Sequence, residues 1–382
     1  VPSARVIVAF AVLAASCAAP HAVTFEGSGI LPAGPSALDD AEHPDLPTPI
    51  VDAQDLVSGG PPPDGIPAID EPRFRSIEDA ELSLADTEPV IVVDVNGEVR
   101  AYPVEIMMWH EIVNDVVGGV PVAVTYCPLC NSAVTYERTI NGVEVTFGTS
   151  GKLYASALVM YDRQTESLWT HFDGRAIAGV LTGHRLDPVP SPLLAWSDFK
   201  TAHPDGLVLS RETGFVRQYG RNPYYGYDDE DTRPFFLRGD VDDRAAVKQR
   251  VVGVEIDGAA VAFPLDEIGG GEAGATMATV GETPVVVLWL AGQNSALEDA
   301  DTSRGRDVGS VGVFRPEVDG RSLSFRTNGS SFIDLETSST WDITGRAISG
   351  LLEGSRLAAV PHLDTFWFAW STYQPETTLF EG

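Results

Sequence analysis

Two cysteines three residues apart, in Cys127-Pro128-Leu129-Cys130, are the side chains of this sequence best suited to chemistry. A thiolate is both a nucleophile and a soft metal ligand, and a tight Cys-Pro-X-Cys turn between two strands aims both sulfurs at one point. Such a turn is used in zinc ribbons and rubredoxin-like sites, which need a second knuckle to complete a tetrahedron. Apart from Cys17 the chain has no other cysteine, so a metal here must recruit a different ligand. His110, with Glu111 beside it, precedes the strand that delivers the thiols. Two thiolates and an imidazole suit copper, with zinc as the alternative. A second chemistry needs no metal: Cys127 and Cys130 as a dithiol/disulfide pair, with His110 lowering a thiol pKa. A third is a static disulfide in a surface binding module, although closing so short a loop stabilises weakly.

An internal comparison separates these residues from the scaffold. Pro121 to Tyr126 leads into the cysteines, and Pro284 to Trp289 leads into Leu290-Ala291-Gly292-Gln293. In that alignment Leu290 replaces Cys127, Gln293 replaces Cys130, and Asn294-Ser295-Ala296 answers Asn131-Ser132-Ala133. Asn96-Gly97 through Tyr102-Pro103 matches Asp257-Gly258 through Phe263-Pro264, and Trp169 and Trp196 match Trp341 and Trp370. A repeat this long implies two similar domains and not a solenoid. Residues held in common serve the fold; Cys127, Cys130 and His110 occur in one copy only. His171, His184 and His203 are also confined to the first copy, and each reads as an ordinary polar residue with a hydrogen-bond partner. Asp162-Arg163 reads as a turn salt bridge, and the acidic stretch from Leu297 to Val308 as a solvated loop without EF-hand spacing.

The expected fold is mostly β (α+β): two tandem homologous β-rich domains with short helices, the second copy degenerate. Asn96-Gly97 between Glu88–Val95 and Glu98–Tyr102 is a strong hairpin signal. Glu105 to Val113 has helical spacing, Val120 to Tyr126 reads as a buried strand, and Leu153 to Tyr161 as another. The expected layout is a signal and lipobox over 1–17, a Pro/acidic tether over 18–87, and the first domain over 88–210. A connector over 211–246 and the cysteine-free second domain over 247–382 follow.

The 382 residues carry 25 basic and 55 acidic side chains, a formal charge of −30, and only Lys152, Lys200 and Lys248 as lysines. So acidic a surface repels nucleic acid and anionic membrane. Arg5, the apolar run from Val6 to Ala15 and Ala14-Ala15-Ser16-Cys17 resemble an export signal ending in a lipobox. The expectation is an exported cell-surface or periplasmic lipoprotein attached to the membrane only through lipidated Cys17, the alternative being an ordinary cleaved signal with an incidental cysteine. Its partner would be a small molecule or redox partner that the sequence does not name.

The motifs Ala101-Tyr102-Pro103, Trp109-His110-Glu111-Ile112-Val113-Asn114-Asp115 and Thr125-Tyr126-Cys127-Pro128-Leu129-Cys130 resemble those of a bacterial exported family. That family carries the domain of unknown function 3179. Phe147-Gly148, Met160-Tyr161-Asp162-Arg163, Ser167-Leu168-Trp169 and Gln218 to Tyr224 extend the resemblance. It implies that His110, Glu111, Cys127 and Cys130 belong to a shared motif set and leaves the activity open. The sequence departs from the pattern at Asn131, where a glycine is usual, and at His171, where glutamine is common. The second departure argues against His171 as an essential ligand.

Overall fold

The computed structural model describes residues 34–382 except Asp231, so the export run and Cys17 lie outside the described residues. The described chain is mostly β, with several small sheets and five short α-helices among the described residues. No described helix is long and apolar enough to cross a membrane.

Asn96 and Gly97 both take positive φ (52° and 82°), the geometry of a two-residue turn that matches strand twist. They join Pro89–Val95 to Glu98–Pro103, as the sequence predicts. The predicted helix is shorter than its apolar spacing implies. It spans Val104–His110, and Ile112 and Val113 belong to the strand Ile112–Val117. The break is Glu111, whose left-handed backbone (φ 59°) ends the helix through its N–H to the Met107 carbonyl at 2.6 Å. The run predicted as one strand over Leu153–Tyr161 is a hairpin of Phe147–Tyr154 with Ala157–Asp162. Ala155 and Ser156 turn it with positive φ and without glycine or asparagine.

Among the described residues the first half has three sheets of four or five strands and a two-stranded ribbon of Thr139–Ile140 with Val143–Glu144. The central one orders Pro188–Val189, Ser132–Glu137, Val120–Cys127 and Ile112–Val117, with the two thiols at its turn. The second half has a matching ladder: Thr283–Leu290 lies between Ala273–Val280 and Ser310–Arg315. The registers correct one feature of the sequence alignment. Cys127 pairs with Ser132, and Leu290 pairs with Ser310, not with Ser295. Residues 291–309 form an excursion between those strands, so Gln293 does not stand at the position of Cys130.

Packing begins well inside the expected tether over 18–87. Ala37 is buried, Val57–Ser58 pairs with the Phe147–Tyr154 strand, and Ile69 exchanges backbone hydrogen bonds with Ile112 and Asn114. Arg163 holds this segment down through Asp64 (3.2 Å) and Asp70 (2.9 Å), so the expected turn salt bridge ties in a distant segment instead. Asp162 accepts from Trp169 Nε1 at 2.9 Å, as Asp334 does from Trp341 Nε1 at 3.0 Å.

The two halves interlock. Thr365 Oγ1 and the Phe366 N–H both donate to the Cys130 carbonyl, at 2.7 and 3.1 Å. In return the Ala195 N–H donates to Ser310 Oγ (2.8 Å), and that hydroxyl donates to Asp198 Oδ2 (2.7 Å). Burial raises the Asp198 carboxyl to about 6 against the Ser310 hydrogen bond. Because the folded value lies above the ordinary 3.8, the native state binds the extra proton. Stability therefore falls as pH rises from about 4 to about 6. Asp198→Asn is expected to flatten that part of the stability–pH curve, measured by urea unfolding at a series of pH values.

Candidate functional site

Cys127 ends its strand and Cys130 closes the turn; both are free thiols, 2% and 0% exposed. The turn continues into Asn131, whose φ of 49° explains why asparagine substitutes for glycine there: its side chain tolerates the left-handed region. Tyr126 Oη donates to Asn131 Oδ1 at 3.0 Å and braces the turn.

The sulfurs are electrostatically unequal. Burial pushes the Cys127 thiol up, but a hydrogen bond from Cys130 and the backbone N–H groups of Leu158, Cys130 and Leu129 outweigh it, leaving Cys127 below the ordinary thiol value. Burial, then the neighbouring Cys127 charge, pushes Cys130 well above it. The pattern is a pair of unequal thiols, Cys127 the readier to ionise and Cys130 the one that holds its proton more firmly. The Cys130 sulfur also lies 3.7 Å from the Cys127 carbonyl. One S–H proton serves one acceptor, and both candidates, carbonyl and sulfur, belong to Cys127.

Glu111 completes this group. It is 8% exposed, and burial, reinforced by the charge of Cys127, pushes its carboxyl well above the usual carboxylate range. A left-handed backbone at a non-glycine residue costs on the order of 1–3 kcal/mol and collects at functional sites. Here it is held by the Met107 carbonyl on one side and by the Tyr126 N–H, which donates to the Glu111 carbonyl at 2.8 Å, on the other. A carboxyl that holds its proton more firmly than usual, within the field of Cys127, can give a proton to a leaving sulfur and take one back.

His110 is placed differently from the expected ligand. Its Nδ1 lies 2.7 Å from the Pro67 carbonyl and its Nε2 2.7 Å from Tyr219 Oη. A carbonyl can only accept and a phenol can donate, so a neutral imidazole satisfies both partners, and burial lowers its pKa accordingly. His110 thus latches the 211–246 segment to the N-terminal segment. Among the described residues no three His, Cys, Asp or Glu side chains converge as a metal-ligand set.

The rest of the motif is largely architectural. Asn114 exchanges hydrogen bonds with Phe147, Asp115 accepts from Tyr102 Oη at 2.6 Å, and Trp109 Nε1 donates to the Arg221 carbonyl. The 211–246 segment covers the thiols: Tyr227 Oη donates to the Leu129 carbonyl at 2.9 Å. Charges on Glu111 and Cys127 add to burial in raising the Tyr224 phenol. In the acidic excursion, Asp301 and Asp307 accept from Ser303, Gly292 and Gly309 N–H groups, so these carboxylates brace a loop.

One neighbour escaped sequence reasoning. Ser132 Oγ lies 3.0 Å from Cys130 Sγ and 3.4 Å from His171 Nδ1. His171 is fully buried, and burial pushes its imidazole down to about 3. The signal available was Ile343, two residues after Trp341 as His171 is after Trp169.

No curated protein and no solved structure matches the chain. A family model described as "Protein of unknown function (DUF3179)" matches residues 63–377, which is most of the chain. Tyr102, Glu111 and the thiol turn lie inside that span, and the chain belongs to this family.

Proposed function

We propose that the Cys127–Cys130 turn is a metal-free thiol–disulfide exchange centre, set in an exported, lipid-anchored protein whose second half is a degenerate copy serving as scaffold. The observation that carries this reading is a buried turn of two free thiols in unequal surroundings, which favour ionisation at Cys127 and oppose it at Cys130.

Cys127 thiolate attacks one sulfur of a disulfide R–S–S–R, forming Cys127–S–S–R and expelling R–S⁻, which takes the Glu111 proton. Cys130 then gives its proton to the Glu111 carboxylate and attacks Cys127 Sγ, releasing the second R–S⁻. The protein pair is oxidised by two electrons and the substrate disulfide is reduced to one thiol and one thiolate, which takes its proton from solvent. With Cys127 only 2% exposed beneath the tyrosines of 211–246, a small disulfide fits better than a folded protein.

A copper or zinc centre on Cys127, Cys130 and His110 would require one ring nitrogen of His110 to give up its partner, Tyr219 at Nε2 or Pro67 at Nδ1, and face the sulfurs instead. Protein purified without oxygen is expected to hold no stoichiometric metal and to show two thiols that cycle together in a graded redox buffer. One equivalent of copper or zinc, lost in both Cys127→Ser and His110→Ala, would instead establish the metal centre. A metal-free disulfide that resists mild reductant would leave the binding module.

A further inference from the structure

His171 is costly where it stands. Its ring is fully buried, its Nε2 has no hydrogen-bond partner, and no charged group compensates its desolvation. The fold does not demand a polar residue there. In the second half Trp341 pairs with Ala347 as Trp169 pairs with Ala176, and two residues later Ile343 lies 3% exposed in an apolar cluster. The same comparison puts leucine at the Cys127 position and keeps serine opposite it, Ser310 for Ser132. Imidazole and thiol are therefore present together in one half and replaced by aliphatic side chains in the other.

The backbone of His171 is pinned on both sides. Its N–H donates to the Leu158 carbonyl at 3.1 Å, and its carbonyl accepts from Tyr136 Oη at 2.8 Å. The next residue, Phe172, stacks on Tyr373 with centroids 4.5 Å apart. The ring is thereby directed at Ser132, whose hydroxyl reaches Cys130.

The proton inventory gives this chain a direction. Cys130 turns its S–H towards Cys127, whose carbonyl lies 3.7 Å away, so at Ser132 the Cys130 sulfur is the acceptor and the hydroxyl the donor. The Ser132 oxygen then takes a donor of its own, and the facing atom is His171 Nδ1. We propose that His171 is a positioning residue for the thiol pair. As its Nδ1–H tautomer it donates to Ser132, Ser132 donates to Cys130, and the line of donors ends at Cys127. The unpartnered Nε2 is then the lone pair of that tautomer. Linked donors polarise one another, most strongly where water is excluded. When Cys130 becomes the attacking sulfur, Ser132 is already oriented to hold its negative charge. This inference rests on the exchange reading above.

The test uses the full reduced chain at one fixed pH. It compares the rate of Cys127 alkylation by iodoacetamide in the wild type, Ser132→Ala, His171→Ile and His171→Gln. Nitrogen-15 NMR reads the His171 tautomer of the wild type. Ser132→Ala and His171→Ile are expected to slow alkylation about three- to tenfold, the size of one hydrogen bond to a charged group passed through a neighbour. The double variant is expected to be no slower than either single one, because both break the same line. His171→Gln, which keeps an N–H donor, is expected to react near the wild-type rate, and the wild-type ring is expected to carry its proton on Nδ1. A folded His171→Ile protein reacting at the wild-type rate, or a proton on Nε2, would overturn the proposal. A wild-type pair that does not react at all would remove the exchange reading, and this inference with it.

Discussion

Cys127→Ser is expected to lower exchange with a small model disulfide by about three orders of magnitude or more, because the step begins with attack by that sulfur. Cys130→Ser is expected to behave differently. It keeps a hydroxyl donor beside Cys127, so the first attack proceeds, but nothing resolves the product. The mixed disulfide on Cys127 should accumulate and appear in the intact mass. Neither change should prevent folding, since the second half places Leu290 in the corresponding register. A cost of about 1–3 kcal/mol for a buried hydroxyl is expected in chemical unfolding. Equal loss of the first step in both variants, with no trapped adduct, would contradict the assigned order of attack.

The second large effect concerns the wall behind the turn. Arg250 and Asp364 form a bidentate pair, Nε to Oδ1 at 3.2 Å and an η nitrogen to Oδ2 at 2.8 Å, with both side chains 5% exposed. They join Arg250–Ile256 to Leu363–Phe366, the strand whose Thr365 and Phe366 hold the Cys130 carbonyl. Asp364→Ala leaves a guanidinium buried without its partner and is expected to cost about 3–5 kcal/mol in urea unfolding. It should also speed alkylation of the thiols, because the strand that caps them loses its anchor. Replacing both residues with apolar ones of similar volume, Arg250→Met with Asp364→Leu, is expected to recover most of the loss. A single-variant cost below about 1 kcal/mol would show the pair to be solvated in solution.

Much of the site was legible because its signals are local. The Cys-Pro-Leu-Cys turn, the Asn-Gly hairpin and the Tyr126 strand follow from residue type and short spacing, and all three stand where the sequence placed them. Glu111 was singled out for its position beside His110, but its left-handed backbone was not foreseeable, since glycine or asparagine ordinarily marks that geometry. The same absence hid the Ala155-Ser156 turn. The bonds of His110 were hidden for another reason: its partners, Pro67 and Tyr219, lie 43 and 109 residues away, and spacing along the chain carries no trace of them. Aligning Ser132 with Ser295 followed the letters Asn-Ser-Ala, whereas strand pairing selects Ser310 across a loop excursion. The N-terminal segment looked like a tether because its prolines prevent regular structure. It is held instead by individual bonds, such as those from Arg163, that composition does not reveal.

The central claim is that the two sulfurs differ, with Cys127 the thiolate and Cys130 its protonated neighbour. The direct measurement is alkylation of the reduced, metal-free full chain with less than one equivalent of iodoacetamide at neutral pH, followed by peptide mapping of the modified cysteine. The account predicts that the label falls on Cys127 first, with Cys130 modified only after it. Label appearing first on Cys130, or equally on both, would contradict it.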